Sequence, residues 1–157
     1  MQQAPAIHWN WKSFHQLTLD ELYDLLHLRM RVFVLEQQCI YLDVDCLDQK
    51  SWHLIGYLDD TLVAYLRVLP PGLKQAEVSF GRVALDESVR SKGLGKLMMA
   101  KTLAFLQQQY PKAPIKISAQ SYLQKFYEAY GFAAQSEPYD DHGVMHIDMQ
   151  RNFPAEP

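Results

Sequence analysis

The run VSFGRVALDESVRSKGLGKLMM, residues 78–99, decides how this chain folds. Val78 to Leu85 is an apolar stretch carrying Phe80, Val83 and Leu85, which predicts a buried strand. A charged turn, Asp86 to Lys92, follows it, and Gly93-Leu94-Gly95 then opens a helical pattern. Strand, glycine-containing loop and helix in that order make an anion site. Glycine lets a ligand approach the backbone, and the unpaired N–H groups of a first helical turn point at it with a favourable dipole. Arg90, Lys92 and Lys96 add positive charge at the same place, so the expected ligand is a phosphate.

Two familiar phosphate loops fail on spacing. A Walker loop needs Gly five residues before its Gly-Lys pair and Ser or Thr after it, where Arg90 and Leu97 stand here. A dinucleotide fingerprint needs a third small residue where Met98 stands, and an acid about 20 residues on closing a second strand. The pattern that fits is R-x-x-G-x-G, Arg90 to Gly95. It resembles the coenzyme A loop of the GNAT superfamily of N-acetyltransferases. That resemblance implies acetyl-CoA as co-substrate, with its pyrophosphate on Arg90, Ser91, Lys92, Gly93, Leu94, Gly95 and Lys96. It also implies that backbone groups of Val83, Ala84 and Leu85 meet the pantetheine arm. The alternative is an ordinary strand-to-helix turn with glycine for tightness.

Further along, Phe126-Tyr127-Glu128-Ala129-Tyr130-Gly131-Phe132 is similar to a signature near the end of GNAT domains. By that match Tyr127 is the general acid that protonates the departing thiolate. A phenol of pKa about 10 lies near an alkyl thiol, so the transfer is nearly balanced. The other reading is a packing tyrosine on an amphipathic helix. The amine must also lose a proton before it attacks. The Glu that some family members use falls, counting from Arg90, on Ser79. Glu77, two residues away on the same strand face, is the candidate base, with a solvated charge as its alternative.

Arg31-Val-Phe-Val-Leu-Glu36-Gln37-Gln-Cys39-Ile40-Tyr41-Leu-Asp43-Val-Asp45 resembles the ElaA-like branch of the superfamily, as does Ala119-Gln120 before Tyr127. Ile40 departs from that branch, which often has Pro there. The resemblance runs from about residue 9 to 149. It implies that this early region walls the acceptor pocket, with Arg31, Glu36, Gln37, Asp43, Asp45 and His53 as pocket residues and Gln120 beside the cofactor. The acids, with Asp48, then form an anionic wall suited to a cationic amine. They read equally as the solvated charges of a loop. A metal reading fits less well. An EF-hand wants Asp or Asn at 47 and Gly at 48, where Leu47 and Asp48 stand, and Cys39, Cys46 and His53 lack zinc spacing. No metal is expected. His142 and His146 read as pocket or hairpin residues alike.

Outward from the central run, residues 7–14 alternate and predict a first strand. Thr18-Leu-Asp-Glu21 is a capping box opening a helix to about Leu35. Residues 36–50 look loop-like, although the family's second helix would fall there. Trp52–Leu58 and Leu62–Leu69 form a hairpin. The helix from Gly93 ends near Tyr110, before Pro111 and Pro114. Ile115–Ala119 is a strand, and Ser121 caps a helix closed by Gly131. Phe132–Ala134 and Val144–Met149 complete the pattern, and residues 152–157, NFPAEP, read as a loose end. The order β, α, three β, α, β, α, two β predicts one α/β domain over residues 1–157, with its core at about 7–150. A mixed sheet with helices on both faces follows, which is also the GNAT fold.

At 157 residues and 48% hydrophobic content, the chain is sized for one full core. A net charge of −3 without a basic run argues against nucleic acid. No stretch is long and apolar enough to span a bilayer, and the first ten residues lack the form of a signal peptide. Cys39 and Cys46 read as free thiols in a reducing compartment, with cytoplasm the default. The expected activity is acetyl transfer from acetyl-CoA to a primary amine of a small molecule or peptide. The rival is an acyl-CoA-binding sensor of the same fold. Exposed sheet edges leave room for a homodimer.

Overall fold

The computed structural model describes residues 6–152, so all but Asn152 of the expected loose end lies outside the described residues. The elements are β1 (His8–Ser13), α1 (Leu19–Arg29), β2 (Trp52–Leu58), β3 (Thr61–Leu69) and β4 (Ser79–Leu85). After them come α2 (Leu94–Gln109), β5 (Ile115–Gln120), α3 (Gln124–Glu128), β6 (Ala133–Ala134), β7 (Tyr139–Asp141) and β8 (Val144–Arg151). Strands β1 to β4 form an antiparallel meander, and β8 pairs with β5, β6 and β7 in a second antiparallel sheet.

One parallel bridge, Val78 to Ile115, joins the two halves, with Lys116 N–H donating to Val78 O at 3.0 Å. Past it, β4 and β5 form no further pair among the described residues, and the sheet opens into a wedge.

Helices cover both faces, as the sequence order predicts. Strand β3, TLVAYLRVL, is buried on both sides, which is why it reads as a continuous apolar run. Alternation along β2 and β3 sends Leu54, Leu66 and Val68 towards Met98, Met99 and Phe105 of α2. The same alternation sends Ile55 and Tyr65 towards Leu25 and Leu28 of α1. Trp11 stacks on Phe105 with ring centroids 3.9 Å apart, which fixes α2 to the first strand.

Thr18 caps α1 as its sequence predicts: its hydroxyl accepts from Glu21 N–H at 3.0 Å, and the Glu21 carboxylate accepts from Thr18 N–H at 2.8 Å. The predicted helix to Leu35 changes character, however. After Arg29 it widens into a π-helix, Met30–Glu36. A wider turn of this kind is common beside functional sites.

Of the remaining readings, the loop-like one of residues 36–50 holds, the Ser121 cap needs correcting, and one strand goes unread. Residues 36–50 hold no α-helix, only a 3-10 turn at Asp48–Lys50, because their polar side chains are drawn inward by arginines. Ser121 does not cap α3 but sits inside a 3-10 turn that precedes it. Strand β7 was hidden by its polar sequence, Tyr-Asp-Asp, and is recruited by pairing with β8.

Candidate functional site

The wedge between β4 and β5 continues into a cleft of about 890 Å³. Its floor is Phe80, Ile117 and Ala119, and its ends are α2 on one side and the β7–β8 hairpin on the other.

At the first end, the loop before α2 curls through two left-handed residues, Ser91 at φ 61° and Gly93 at φ 79°. Glycine adopts this conformation without steric cost; serine does so uncommonly. No side chain caps the helix, and its first bond runs from Leu97 N–H to Gly93 O at 3.3 Å. The N–H groups of Leu94, Gly95 and Lys96 are therefore left free to meet an anion. Leu94 contributes only backbone, since its side chain packs on Val63 and Val89. Gly95 lines the cleft. Arg90 lines it too, but its guanidinium is already engaged. It donates to Leu85 O from Nε at 3.1 Å and from Nη2 at 2.9 Å, and it pairs with Glu36 at 2.6 Å. Arg90 thus ties the end of β4 and the π-helix to the loop. Arg31 makes a parallel tie to Asp86 and is not a lining residue. Burial pushes the Asp86 carboxyl up, but hydrogen bonds from Ser88 and the Arg31 contact outweigh it and hold it down at about 2.

Along the cleft, β4 carries a bulge. Tyr65 faces Ala84 and Arg67 faces Gly81, so β4 takes three steps where β3 takes two, and Arg82 turns to φ 48°. Ala84 is buried and offers backbone only, while Val83 and Leu85 line the cleft. Tyr127 of α3 stands across the wedge. It is 7% exposed, lines the cleft and packs on Phe80, Phe126 and Phe132. Burial pushes its phenol up to about 12, with Tyr122 adding to the shift. At neutral pH the hydroxyl keeps its proton, and among the described residues it has no hydrogen-bond partner. Glu77 precedes β4, is partly buried and does not line the cleft, whereas Ser79 does.

The acidic segment is not an open anionic wall. Asp43 and Asp48 are buried, and three arginines neutralise Asp43, Asp45 and Asp48. Arg29 Nε reaches Asp43 Oδ2 and its Nη1 reaches Asp48 Oδ1, both at 2.8 Å. Arg67 Nη1 meets the same Asp48 oxygen at 2.9 Å and grips Asp45 through both terminal nitrogens at 2.8 Å. Arg82 Nε lies 2.9 Å from Asp43 Oδ1, and Tyr41 donates to that oxygen at 2.9 Å. Burial pushes the Asp48 carboxyl up, but the guanidiniums of Arg29 and Arg67 outweigh it and hold it below the usual range. His53 is fully buried, with Nε2 2.9 Å from Asp48 O and Nδ1 2.6 Å from the Tyr65 hydroxyl. A carbonyl only accepts, so Nε2 carries the proton and Nδ1 accepts from Tyr65. Burial pushes this imidazole down, which keeps it neutral.

What faces the cleft from this region is Glu36, Gln37, Tyr41, Arg67 and Arg82. The Arg82 guanidinium lies 5.2 Å from the Tyr41 ring centroid. Gln120 Nε2 spans the gap to Gln37 Oε1 at 3.3 Å, tying β5 to the loop. The far wall is only partly legible in the sequence, where His142 and His146 read as pocket or hairpin residues alike. It comprises Asp141, His142, Val144 and His146 of the β7–β8 hairpin, with His142 5.3 Å from Tyr41, ring to ring. The signal available was alternation in Val144–Met149, which sets His146 on the face opposite buried Ile147 and Met149.

Comparison with known proteins agrees with this architecture. A family model described as an acetyltransferase (GNAT) domain matches residues 30–153. A UPF0039 protein of Synechocystis sp. is 42% identical over 144 residues, 91% of this chain and 94% of that protein. Protein ElaA of Escherichia coli is 39% identical over 145 residues, 90% of this chain and 95% of ElaA. Among solved structures, an acyl-CoA N-acyltransferase from Pseudomonas aeruginosa aligns with a TM-score of 0.89 at 40% identity. The alignment spans 93% of this chain and 99% of that one. The crystal structure of E. coli ElaA aligns with a TM-score of 0.87 at 38% identity, over 93% and 99% of the two chains.

Proposed function

This chain belongs to the GNAT acetyltransferase family, in its ElaA-like branch, and from that premise we propose that it is an N-acetyltransferase. It moves an acetyl group from acetyl-CoA to a primary amine by direct attack. The observation that carries this reading is the wedge itself. One cleft has an uncapped helix N-terminus at one end and, across from a bulged strand, a phenol whose ring is buried and which lines the cleft.

In this reading the N–H groups of Leu94, Gly95 and Lys96 hold the pyrophosphate, helped by the charge of Lys92 and Lys96. The edge of β4 from Val83 to Leu85 pairs with the pantetheine amides, and the bulge aims a backbone N–H at the thioester oxygen. Arg90 acts by fixing the loop and the end of β4 rather than as a bare phosphate ligand. The amine, held neutral, attacks the carbonyl carbon. The C–S bond breaks with its electron pair on sulfur, and Tyr127 supplies the proton that sulfur takes up. Holding both substrates in one cleft supplies much of the rate. The Arg29–Arg67–Arg82 network cancels the three aspartates, so acceptor selection falls to Gln37, Tyr41, Arg82 and the hairpin wall, with Glu36 tied to Arg90.

The experiment is thiol release from acetyl-CoA in the presence of primary amines, by the wild type and by Tyr127→Phe. Amine-dependent release by the wild type and its loss in the variant support the reading. Acetyl-CoA binding without amine-dependent release favours a non-catalytic acyl-CoA-binding module.

A further inference from the structure

We infer that His146 is the general base that takes the proton from the acceptor ammonium. The inference rests on the acyl-transfer reading above and fills the step for which Glu77 is out of place.

Strand pairing puts His146 on the cleft wall beside Gln120, across the wedge from β4. From the Val78–Ile115 bridge, Arg82 and Val83 of the bulge lie four and five residues along β4, and Ala119 and Gln120 lie four and five residues along β5, on the two sides of the wedge. Gln120 pairs with His146 across β5 and β8. Directly opposed residues carry their Cβ atoms about 4.5–5.5 Å apart on one face. Gln120 points into the cleft, since it reaches Gln37, and His146 lines the same cleft.

The imidazole is prepared for this step by its neighbours. Nδ1 lies 2.8 Å from Val144 O, and a carbonyl only accepts, so Nδ1 carries the proton and Nε2 presents a lone pair. Nε2 has no partner among the described residues. The ring is stacked on Tyr139, 26° from parallel, which holds its plane. The other ionisable groups of this wall are committed elsewhere. Tyr139 donates to Asp148 at 2.7 Å and contacts the Ser118 hydroxyl. Asp141 Oδ1 lies 2.6 Å from His142 Nδ1 at the exposed hairpin tip. Asp140 and the buried thiol of Cys39 lie beside that tip, and burial, then Asp141 and Asp140, push the thiol up. Tyr41 faces His142 from the opposite loop and donates to Asp43.

The ammonium gives one proton to His146 Nε2, which passes it to solvent, and the freed lone pair forms the C–N bond. The C–S bond then breaks with its pair on sulfur. Tyr127 protonates the sulfur and recovers a proton from the new amide nitrogen through water.

The test uses two probe nucleophiles with acetyl-CoA. Propylamine, like lysine, has a pKa of about 10.4 and is an ammonium at neutral pH. Hydroxylamine is largely unprotonated there and needs no base. His146→Asn keeps a donor for Val144 O and removes the Nε2 position; His146→Gln is the second variant. The expected result is a loss of about 10²–10⁴-fold in kcat/KM for propylamine at neutral pH. Turnover of hydroxylamine above the uncatalysed rate stays within a few-fold of the wild type, and acetyl-CoA affinity by calorimetry is unchanged. The propylamine rate of the variants also climbs as pH is raised towards the amine's own pKa. Equal loss for both nucleophiles, or no loss for propylamine, overturns the assignment. Wild-type protein that binds acetyl-CoA but releases thiol with neither nucleophile overturns the acyl-transfer reading itself, and the assignment with it.

Discussion

Asp48→Ala exposes how the acceptor side of the cleft is held together. A single oxygen of Asp48 accepts from Arg29 at 2.8 Å and from Arg67 at 2.9 Å, and both guanidiniums are at most 2% exposed. The substitution removes two charge-assisted hydrogen bonds at once, each contributing about 1.5–3 kcal/mol. Removing one partner of a buried ion pair costs about 3–5 kcal/mol by direct comparison, because the remaining charge is stranded. The two figures agree near their lower ends. Arg29 keeps Asp43 and Arg67 keeps Asp45, which limits the loss to about 3–5 kcal/mol. For a domain of this size each kcal/mol moves the midpoint by roughly 2–4 °C, so the melting temperature falls by roughly 6–20 °C.

The acid limb supplies an independent check. Burial pushes both the Asp45 and Asp48 carboxyls up, but Arg67 with Arg82 at Asp45, and Arg29 with Arg67 at Asp48, hold both below their ordinary value. A carboxyl depressed in the folded state contributes its full stability above the unfolded pKa of about 3.9 and loses it as pH falls through the folded value. Wild-type stability therefore drops steeply below about pH 4, and Asp48→Ala shows a shallower acid limb. Urea titrations between acid and neutral pH measure both effects. A loss under about 1 kcal/mol, with an unchanged acid slope, would mean that these pairs behave as solvated surface bridges, and the account of the network would fall.

Gly56 carries a packing prediction of its own. A Cβ there would stand 2.8–2.9 Å from the Trp9 ring and from Ile7, so Gly56→Ala forces the edge strand outward. Overpacking of this kind costs about 1–3 kcal/mol, read as a lower urea midpoint; an unchanged midpoint refutes the close contact. Glu36→Gln releases Arg90 from its exposed ion pair and removes a negative charge from the expected phosphate end of the cleft. Acetyl-CoA affinity should rise by up to about fivefold at low salt and the gain should fade at high salt, whereas a weaker affinity contradicts this arrangement.

Much of the fold is legible in the sequence because its decisive elements are local. The apolar run of β4, the glycines before α2, the Thr18 capping box and the Gly131 stop each act within a few residues. Tyr127 is found the same way, through a contiguous motif. The acceptor side is not legible in this manner. Asp43, Asp45 and Asp48 read as free charges because their partners, Arg29, Arg67 and Arg82, are up to 39 residues away and lie on other elements. Arg90 reads as a phosphate ligand because its tie to Glu36, 54 residues away in the chain, is tertiary. The pairing of His146 with Gln120, across 26 residues of chain, is visible only in the strand register. Strand β7 has too polar a sequence to announce itself without its partner.

The central claim is that this cleft transfers an acetyl group with Tyr127 as proton donor. The most direct measurement compares wild type and Tyr127→Phe in two titrations, acetyl-CoA binding by calorimetry and amine-dependent thiol release. The account predicts amine-dependent release by the wild type, a kcat about 10²-fold or more lower in the variant, and an unchanged acetyl-CoA Kd. Equal turnover by the two proteins removes Tyr127 from the chemistry, and a wild type that binds acetyl-CoA yet turns over no amine contradicts the claim outright.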